Sequence, residues 1–285
     1  MHETHSITMG LLHYFQVIMK PKDFFNQNPV FTSQEYAKFL KQEKRSGTRA
    51  QEALLSYHIK TGNLVRIRRG LFGVIPQGAS PESYSFDPYL VAAKLDEGGV
   101  IGYHSALAFY GKSYSVTHQF VVLGYKRQIN FAFHSDNFRL VQFPISLYKK
   151  NLEYFGVKTI SHRNCLLRVT SFERTLVDML DRPELSGGWE EIWRSLESVE
   201  YFDVDKIVEY ALLLDKATTT AMVGFYLEQH QKELRVKESH LNQLQKHRPK
   251  QPHYIDRKNK SQGKLDMRWN LIIPLEVIEQ SWREW

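Results

Sequence analysis

The sequence predicts an α+β protein in which an N-terminal winged helix-turn-helix precedes a larger mixed α/β domain. Two observations predict this fold: helical patterns followed by a basic hairpin over the first 75 residues, and alternating helix and strand patterns after residue 81. The stretch between them, PQGASP at 76–81, has no charge and no periodicity, which is typical of a linker. We therefore expect one domain over residues 1–77, of which 1–20 form an upstream extension, and a second over residues 82–285.

The composition is that of an ordinary globular protein. The chain has 285 residues, enough for two hydrophobic cores, and 42% of them are hydrophobic. No apolar run reaches the roughly 18 residues of a membrane helix, and the N-terminus lacks the pattern of a signal peptide. The single cysteine, Cys165, excludes a disulfide framework and is expected in the core of a strand. We expect a cytoplasmic protein with no membrane partner.

The net charge of +7 is unevenly distributed. Residues 1–75 hold eleven Lys and Arg against five Asp and Glu, and residues 231–260 hold nine against three. The remainder of the chain is therefore acidic. Two basic segments on an acidic body indicate a surface that faces a polyanion.

Three helices are predicted in the first domain. A short one covers residues 21–27, with proline in its first turn. The next begins after Thr32, because Thr32 followed three residues later by Glu35 is a capping box. The third covers Thr48 to Lys60 and ends at Gly62, which has the position of a C-terminal cap.

The third helix has the pattern of a recognition helix. Helical spacing predicts that one face packs inward and consists of Ala50, Leu54, Leu55, His58 and Ile59. The opposite face carries Arg49, Glu52, Ala53, Ser56 and Lys60. Small side chains let a helix approach the major groove closely, so we expect Arg49, Ala53 and Ser56 to reach base edges. Thr48 is expected to cap the helix at its phosphate end, and Lys60 to contact phosphate.

The hairpin that follows, NLVRIRRGLFGVIP at 63–76, contains three arginines in four residues. Strand alternation predicts Val65 and Ile67 on the inner face and Arg66 and Arg68 on the outer face. Arg69 then lies at the turn beside Gly70. Such a wing would place Arg66, Arg68 and Arg69 against phosphates or in a minor groove.

The second domain alternates strand and helix patterns. We expect strands at 119–125, 137–144, 156–161, 164–170 and 269–274, and helices at 172–183, 189–198, 203–215 and 217–234. The stretch 98–111 is expected to be a turn that leads into a short helix, and a closing helix is expected after the last strand. Thr170 and Glu173 match a capping box for the helix at 172. The basic stretch 235–262 has little periodicity and is interpreted as an irregular arm, either a solvated loop or a contact for nucleic acid or an acidic partner.

Four stretches carry a family resemblance: LVRIRRGLF (64–72), HSALAFYG (104–111), SFERTLVDMLDRPELSGG (171–188) and DMRWNLIIP (266–274). Their order and spacing resemble the AbiEi family of type IV toxin–antitoxin antitoxins, predicted transcriptional regulators of viral defence systems. The resemblance implies a repressor whose N-terminal domain binds inverted repeats of double-stranded DNA in its own promoter. It also implies a C-terminal domain that antagonises a nucleotidyltransferase-type toxin. A homodimer on the DNA is an open alternative.

No motif predicts catalysis, a cofactor or a metal site. The twelve histidines include no HExxH, and no P-loop or Gly-x-Ser-x-Gly occurs. Glu173, Arg174, Asp178 and Asp181 cluster on one helix, but Arg174 and Asp178 match a stabilising i,i+4 pair. Two alternatives stay open: a stand-alone winged-helix regulator with an orphan or ligand-sensing C-terminal domain, and a nuclease-like enzyme that uses Glu173 and Asp178.

Overall fold

The computed structural model describes residues 21–42, 47–256 and 263–283. The chain divides into two compact units between Tyr84 and Ser85, a few residues after the linker stretch 76–81. Within the described ranges, no helix combines the length and the apolar character that crossing a membrane requires. The sequence predictions for residues 1–20 lie outside the described residues.

The N-terminal unit contains three helices and a small antiparallel sheet. Its elements in chain order are α1 (Pro21–Gln27), β1 (Val30–Thr32), α2 (Ser33–Gln42), α3 (Thr48–Lys60), β2 (Leu64–Arg68) and β3 (Leu71–Val74). The strand order is β1-β3-β2, so β3 is central and β1 adds a third strand to the hairpin. The three predicted helices and the hairpin are confirmed, whereas β1 was not predicted.

The start of α2 is fixed by two sets of hydrogen bonds. The Thr32 amide donates to Glu35 Oε2 at 2.7 Å, and the Glu35 amide donates to Thr32 Oγ1 at 3.2 Å, which confirms the predicted capping box. The Ser33 amide donates to the Gly70 carbonyl at 2.9 Å. The turn of the hairpin is thereby attached to the first residue of α2.

Aromatic side chains form the core of the N-terminal unit. Phe24 lies 5.2 Å from Phe31 and 4.8 Å from Phe39 between ring centroids, and Phe31 lies 5.7 Å from Phe72. Each such pair contributes about 0.5–1.5 kcal/mol beyond its buried area. The cluster joins α1, α2 and the sheet, and Leu55 of α3 also belongs to it.

The C-terminal unit is built on a six-stranded mixed sheet. Its strands are β4 (Val100–Ile101), β5 (Gln119–Gly124), β6 (Ile129–Phe133), β7 (Asp136–Gln142), β8 (Val157–His162) and β9 (Cys165–Thr170). The order is β6-β7-β5-β4-β9-β8, in which β5 pairs with β7 and β4 with β9 in parallel while the other pairs are antiparallel. Together with the helices, this sheet confirms the α+β class.

Helices and a second small sheet complete this unit. The helices are α4 (Pro88–Ala93), α5 (His104–Phe109), α6 (Ile145–Lys150), α7 (Phe172–Asp181), α8 (Trp189–Glu197), α9 (Val204–Leu213), α10 (Ala217–Gln229), α11 (Glu238–Gln245) and α12 (Leu275–Glu279). The small sheet, in the order β10-β12-β11, consists of β10 (His253–Tyr254), β11 (Gly263–Asp266) and β12 (Leu271–Pro274). Helices α7 to α11 and β12 share one core.

Trp269 anchors the small sheet to that core. Its side chain is fully buried, and its Nε1 donates to Glu228 Oε2 at 2.6 Å. The six-membered part of the indole lies directly against Gly224 of α10, where a Cβ atom would overlap it. Gly224 therefore allows α10 and Trp269 to approach closely.

Arg174 of α7 forms a buried ion pair within the helix and also binds the chain before β8. Arg174 Nε donates to Asp178 Oδ2 at 3.2 Å, and Arg174 Nη1 donates to the carbonyl oxygens of Glu153 and Phe155 at 2.6 and 2.7 Å. The Tyr210 hydroxyl donates to the second oxygen of Asp178 at 2.6 Å. Arg174 and Asp178 are 0% and 1% exposed, so both charges are compensated inside the core.

The predicted capping box of α7 is wrong. Ser171 is the N-cap residue, and its Oγ accepts from the Arg174 amide at 3.4 Å. Thr170 instead ends β9, where its hydroxyl lies 2.6 Å from that of Thr175. Glu173 accepts from the Asp203 amide at 3.3 Å and so connects α7 to the start of α9.

Two further expectations are corrected. The stretch predicted as an irregular arm contains α11, which buries His240, Leu241 and Leu244, and the short strand β10; residues 257–262 lie outside the described residues. A single apolar pair at i,i+3 is too little periodicity to predict an eight-residue helix. Cys165 does lie in a strand, but it begins β9 and is half-buried rather than in the core.

Candidate nucleic-acid interface

Helix α3 begins at Thr48, which is the first helical residue and is exposed. The N-cap is Gly47, and no side chain of the described residues caps this end. The expected capping role of Thr48 is therefore wrong, because the cap position precedes the residue that carries the hydroxyl. The first amides of an α-helix have no partner within the helix, and such amides, here next to an exposed hydroxyl, are the groups that bind phosphate at helix N-termini.

The two faces of α3 match the predicted division with one exception. Leu55 is buried, while Leu54, His58 and Ile59 are half-buried against the rest of the unit. Ala50 is exposed, so its predicted inward position is wrong. Lying in the first turn, Ala50 gains no burial from the aromatic core, which α3 reaches further along at Leu54, Leu55 and Ile59.

All the predicted contact residues of α3 are exposed, namely Thr48, Arg49, Ala53, Ser56 and Lys60. The helix is held behind them by Gln51, whose Nε2 donates to the Ser33 carbonyl of α2 at 2.5 Å. An exposed helix face with a cation at each end and small residues between can enter a groove without steric obstruction.

Tyr57 is a member of this face that the sequence interpretation missed. It is 60% exposed, which is unusual for a large aromatic side chain on a packed helix. It lies four residues after Ala53 and three before Lys60, so the same helical spacing places it on their side. Its ring meets that of His58 edge-to-face at 5.3 Å, which restricts its orientation.

His58 packs inward next to the exposed face. Its ring contacts that of Phe25 edge-to-face at 5.0 Å between centroids. Desolvation by burial lowers the pKa of His58 from the ordinary value of 6.5. A neutral imidazole is therefore favoured in the folded unit, and His58 adds no charge to the surface at neutral pH.

The register of the hairpin corrects the predicted faces of its arginines. Arg66 pairs with Phe72 and Arg68 with Leu71, which leaves Ile67 as a bulge residue. Because Leu71 and Phe72 are neighbours in β3, they face opposite sides of the sheet, and Arg66 and Arg68 do so too. The expectation that both share the outer face is wrong. Ile67 is buried as predicted, but Val65 is only half-buried.

The three arginines also differ in exposure. Arg66 is exposed, with its guanidinium carbon 5.9 Å from the centroid of the Phe72 ring. Arg69 is exposed at the turn, where Gly70 has φ +78°, a conformation that favours glycine. Arg68 is half-buried. Two of the three arginines therefore present their charge to solvent.

The exposed cations belong to consecutive elements of one compact unit. Arg49 and Lys60 lie at the two ends of α3, and a turn of three residues leads from Lys60 to β2, which carries Arg66. Glu52, also exposed on α3, is the acidic member of this face. Such a set of cations can neutralise phosphates along a nucleic-acid backbone.

The carboxylates of α7 that the sequence offers for catalysis are held by hydrogen bonds and ion pairs within the fold. Asp178 is 1% exposed, and Arg174 and Tyr210 take both of its oxygens. Asp181 accepts from Lys216 Nζ at 2.6 Å and from Thr219 Oγ1 at 2.5 Å. Across the part of the chain that the structure describes, no three His, Cys, Asp or Glu side chains converge as a metal-binding group.

A buried Ser, His and Glu also lie together in the C-terminal unit. His104 Nε2 lies 2.6 Å from Glu191 Oε1, and Ser195 Oγ donates to the same oxygen at 2.8 Å. Both side chains thus bond to Glu191 rather than to each other, so the serine lacks a base to activate it. Glu191 also accepts from the Ser115 amide at 3.1 Å, which attaches the loop before β5 to α8.

The comparisons with known proteins concern the fold. No protein-family model matches this chain, and no curated protein matches it. It is similar to the crystal structure of the RV2827C protein from Mycobacterium tuberculosis, with a TM-score of 0.56 and 16% sequence identity. The similarity covers 87% of each chain, so it includes most of the α+β architecture described above.

Proposed function

We propose that the N-terminal unit is a winged-helix domain that binds double-stranded DNA. The observation that carries this proposal is the exposed face of α3 in direct succession with the hairpin that bears Arg66 and Arg69. The order helix, strand, helix, helix, hairpin, with β1 added to the hairpin sheet, supports it. In such domains the last helix enters the major groove and the hairpin flanks it.

The contacts divide into two kinds. Arg49, Ala53 and Ser56 face base edges, and Tyr57 adds an aromatic surface beside them. Lys60, Arg66 and Arg69 contact phosphates or a minor groove, and the amides at Thr48 point at a phosphate. Arg68, which is half-buried on the other face of the hairpin, contributes less than the other two arginines.

We further propose that the chain is a cytoplasmic repressor and the antitoxin of a type IV toxin–antitoxin system. It would bind inverted repeats in its own promoter and antagonise a nucleotidyltransferase-type toxin. The support is the resemblance of four ordered motifs to the AbiEi family. In the structure these motifs correspond to the hairpin, α5, α7 with the Gly187–Gly188 turn, and β12 with Trp269.

The stand-alone regulator is the second candidate, since it needs the same DNA-binding unit and no toxin. The nuclease-like alternative finds little support, because Asp178 is buried and its oxygens are occupied.

The proposal is tested with the full chain and the DNA upstream of its own gene. We expect a footprint over paired half-sites, and tighter binding to this DNA than to a scrambled duplex by about 10³-fold or more. Equal affinity for both duplexes would contradict sequence-specific repression. Separately, where the gene beside its own encodes a nucleotidyltransferase-type toxin, co-expression with this chain should restore growth if the chain is the antitoxin, whereas a stand-alone regulator would leave growth inhibited.

A further inference from the structure

Tyr57 of α3 exposes a large aromatic side chain to solvent. It is 60% exposed, and a single exposed aromatic residue is common on protein surfaces. Tyr57, however, is not isolated. It shares one face of α3 with Ala53, four residues earlier, and Lys60, three residues later, and all three are exposed. In the proposed complex with DNA, the ring therefore faces the groove that α3 enters.

The backbone of α3 is fixed at Tyr57. The Tyr57 carbonyl accepts from the Thr61 amide at 2.9 Å and from Thr61 Oγ1 at 3.1 Å, and the Asn63 amide donates to the His58 carbonyl at 3.0 Å. The side chain is restricted as well, because its ring meets that of His58 at 5.3 Å, and the His58 ring lies 5.0 Å from that of Phe25 in the aromatic core. A side chain ordered in this way loses less conformational entropy when it binds a partner.

Two exposed methyl groups extend the apolar surface of the Tyr57 ring. Ala53 lies four residues before Tyr57 and Ala50 seven residues before it, and the structure leaves both exposed. Helical geometry aligns positions i, i+3 and i+7 along one line of the surface, and residues four apart lie about 5–6 Å from each other between Cβ atoms. The exposed position of Ala50 thus adds a second methyl beside Ala53. We call Ala50, Ala53 and Tyr57 the apolar strip.

The contact face of α3 consequently has a polar half and an apolar half. At about 100° of rotation per residue, Arg49, Ser56 and Lys60 fall on one side of Ala53, and Tyr57 falls on the other side. The polar half offers hydrogen-bond donors and positive charge to base edges and phosphates. The apolar half offers hydrocarbon surface, apart from the hydroxyl at the tip of the Tyr57 ring.

The chemistry of the major groove decides what the apolar strip can recognise. All four bases present hydrogen-bonding groups there, and thymine alone adds an apolar group, its C5 methyl. Such a methyl can contact the Ala53 methyl and the Tyr57 ring at ordinary carbon–carbon distances of about 3.5–4.0 Å. The polar edge of adenine, guanine or cytosine, placed against the same surface, would lose hydrogen bonds to water without replacement. The apolar strip is therefore complementary to thymine.

We propose that Tyr57, together with Ala53, recognises the C5 methyl group of a thymine in the major groove of the operator. This inference rests on the proposed DNA-binding function of the N-terminal unit and names a base that the unit selects. The ring of Tyr57 makes the contact, and its hydroxyl is not required. Arg49, on the polar half of α3, contacts a different base position.

The experiment measures binding of the full chain to the promoter half-site that footprinting defines, by fluorescence anisotropy, with each thymine replaced in turn by deoxyuridine. Uracil keeps the hydrogen-bonding groups of thymine and lacks only the methyl. We expect at least one replacement to weaken binding of the wild type about fourfold, the effect of burying one methyl group. This scan requires no change in the protein.

Two substitutions assign the contact to the ring. Tyr57→Ala should bind the unmodified half-site more weakly and should no longer respond to the critical deoxyuridine, because the two changes remove the same contact. Tyr57→Phe keeps the ring and should retain both the affinity and the response. Tyr201→Ala is the matched control, because Tyr201 is 74% exposed and belongs to the other unit. Circular dichroism and an unchanged affinity for a scrambled duplex verify that each variant is folded.

The outcomes are separable from those of the proposed function. A wild type that responds to none of the deoxyuridines, or a Tyr57→Ala variant that responds as the wild type does, overturns the thymine contact and leaves DNA binding standing. A Tyr57→Phe variant that behaves like Tyr57→Ala assigns the contact to the hydroxyl and also overturns the proposal. A wild-type chain that binds neither the promoter nor the scrambled duplex contradicts the proposed function itself, and the thymine contact with it.

Discussion

Arg66 lies over the ring of Phe72, its partner across the hairpin, with the guanidinium carbon 5.9 Å from the ring centroid. The same ring packs on Phe31 in the aromatic core. Arg66 is thus an exposed cation whose guanidinium lies over an aromatic side chain that the core holds in place. The bulge at Ile67 places the next arginine of the strand, Arg68, on the opposite face. The hairpin therefore presents Arg66 and Arg69 as its two exposed arginines.

Lowering the pH should destabilise the N-terminal unit through His58. Its pKa is below 6.5 in the folded state, so the unfolded chain binds more protons as the pH falls below 6.5. The stability that neutral His58 contributes is therefore complete above pH 6.5. It is lost progressively as the pH falls towards the pKa of His58 in the folded state. The protection factors of the α3 amides, which correct for the intrinsic pH dependence of exchange, should fall over this range, and His58→Gln should flatten the dependence. An identical pH dependence in wild type and variant would contradict this account.

Asp178→Ala should destabilise the C-terminal unit strongly. Removing the carboxylate leaves the Arg174 charge buried and takes a partner from the Tyr210 hydroxyl, at a cost of about 3–5 kcal/mol in the free energy of unfolding. All five tryptophans follow residue 188, so their fluorescence reports denaturant unfolding of this unit. Glu209→Ala, on the exposed side of α9, is the control and should change stability by less than about 0.5 kcal/mol. A stable Asp178→Ala variant that loses a metal-dependent cleavage activity would instead support the nuclease-like alternative.

Gly224→Ala should destabilise the protein although alanine is the better helix former. The gain in helix propensity is about 0.5–1 kcal/mol. The added methyl, however, would overlap the indole of Trp269, which its hydrogen bond to Glu228 holds in place. Overpacking of this kind costs about 1–3 kcal/mol, so the net effect should be a loss of stability. A variant that is more stable than wild type in thermal unfolding would show that Trp269 can move.

Changes on the exposed face of α3 should affect DNA binding without affecting the fold. Ala53 is exposed, so Ala53→Phe is tolerated by the protein but blocks close approach to the groove. Specific affinity should fall at unchanged thermal stability. Arg49→Ala should relax the preference at one base position, at a cost of about 1–3 kcal/mol. Ser239→Ala, an exposed change on α11 of the other unit, should alter neither property.

Local signals in the sequence predicted part of the local structure, although the caps expected at Thr48 and Thr170 are wrong. The Thr32 and Glu35 capping box and the glycine after α3 involve residues within a few positions of one another, and the structure contains both. The bulge at Ile67 depends on how β2 pairs with β3, so strand alternation could not predict it. The bulge matters for function, because it changes which arginines of the hairpin face solvent.

Contacts between distant segments were the least predictable. The i,i+4 pair of Arg174 and Asp178 was recognised, but not that Arg174 also binds carbonyls about twenty residues earlier. Glu191 of α8 bonds to His104 and to the Ser115 amide, which lie more than seventy residues earlier and share no sequence pattern with it. Tyr57, in contrast, could have been found from helical spacing alone.

The salt dependence of DNA binding by the hairpin variant tests the central claim most directly. The full chain with Arg66→Ala and Arg69→Ala is compared with the wild type by fluorescence anisotropy on one duplex at several salt concentrations. A control with Lys232→Ala and Lys264→Ala removes two exposed cations from the C-terminal unit. We predict weaker binding to this duplex and a slope of log affinity against log salt that is shallower by about 0.9 per lost phosphate contact. Affinity and slope equal to those of the wild type would contradict the assignment of the hairpin as a DNA-binding wing.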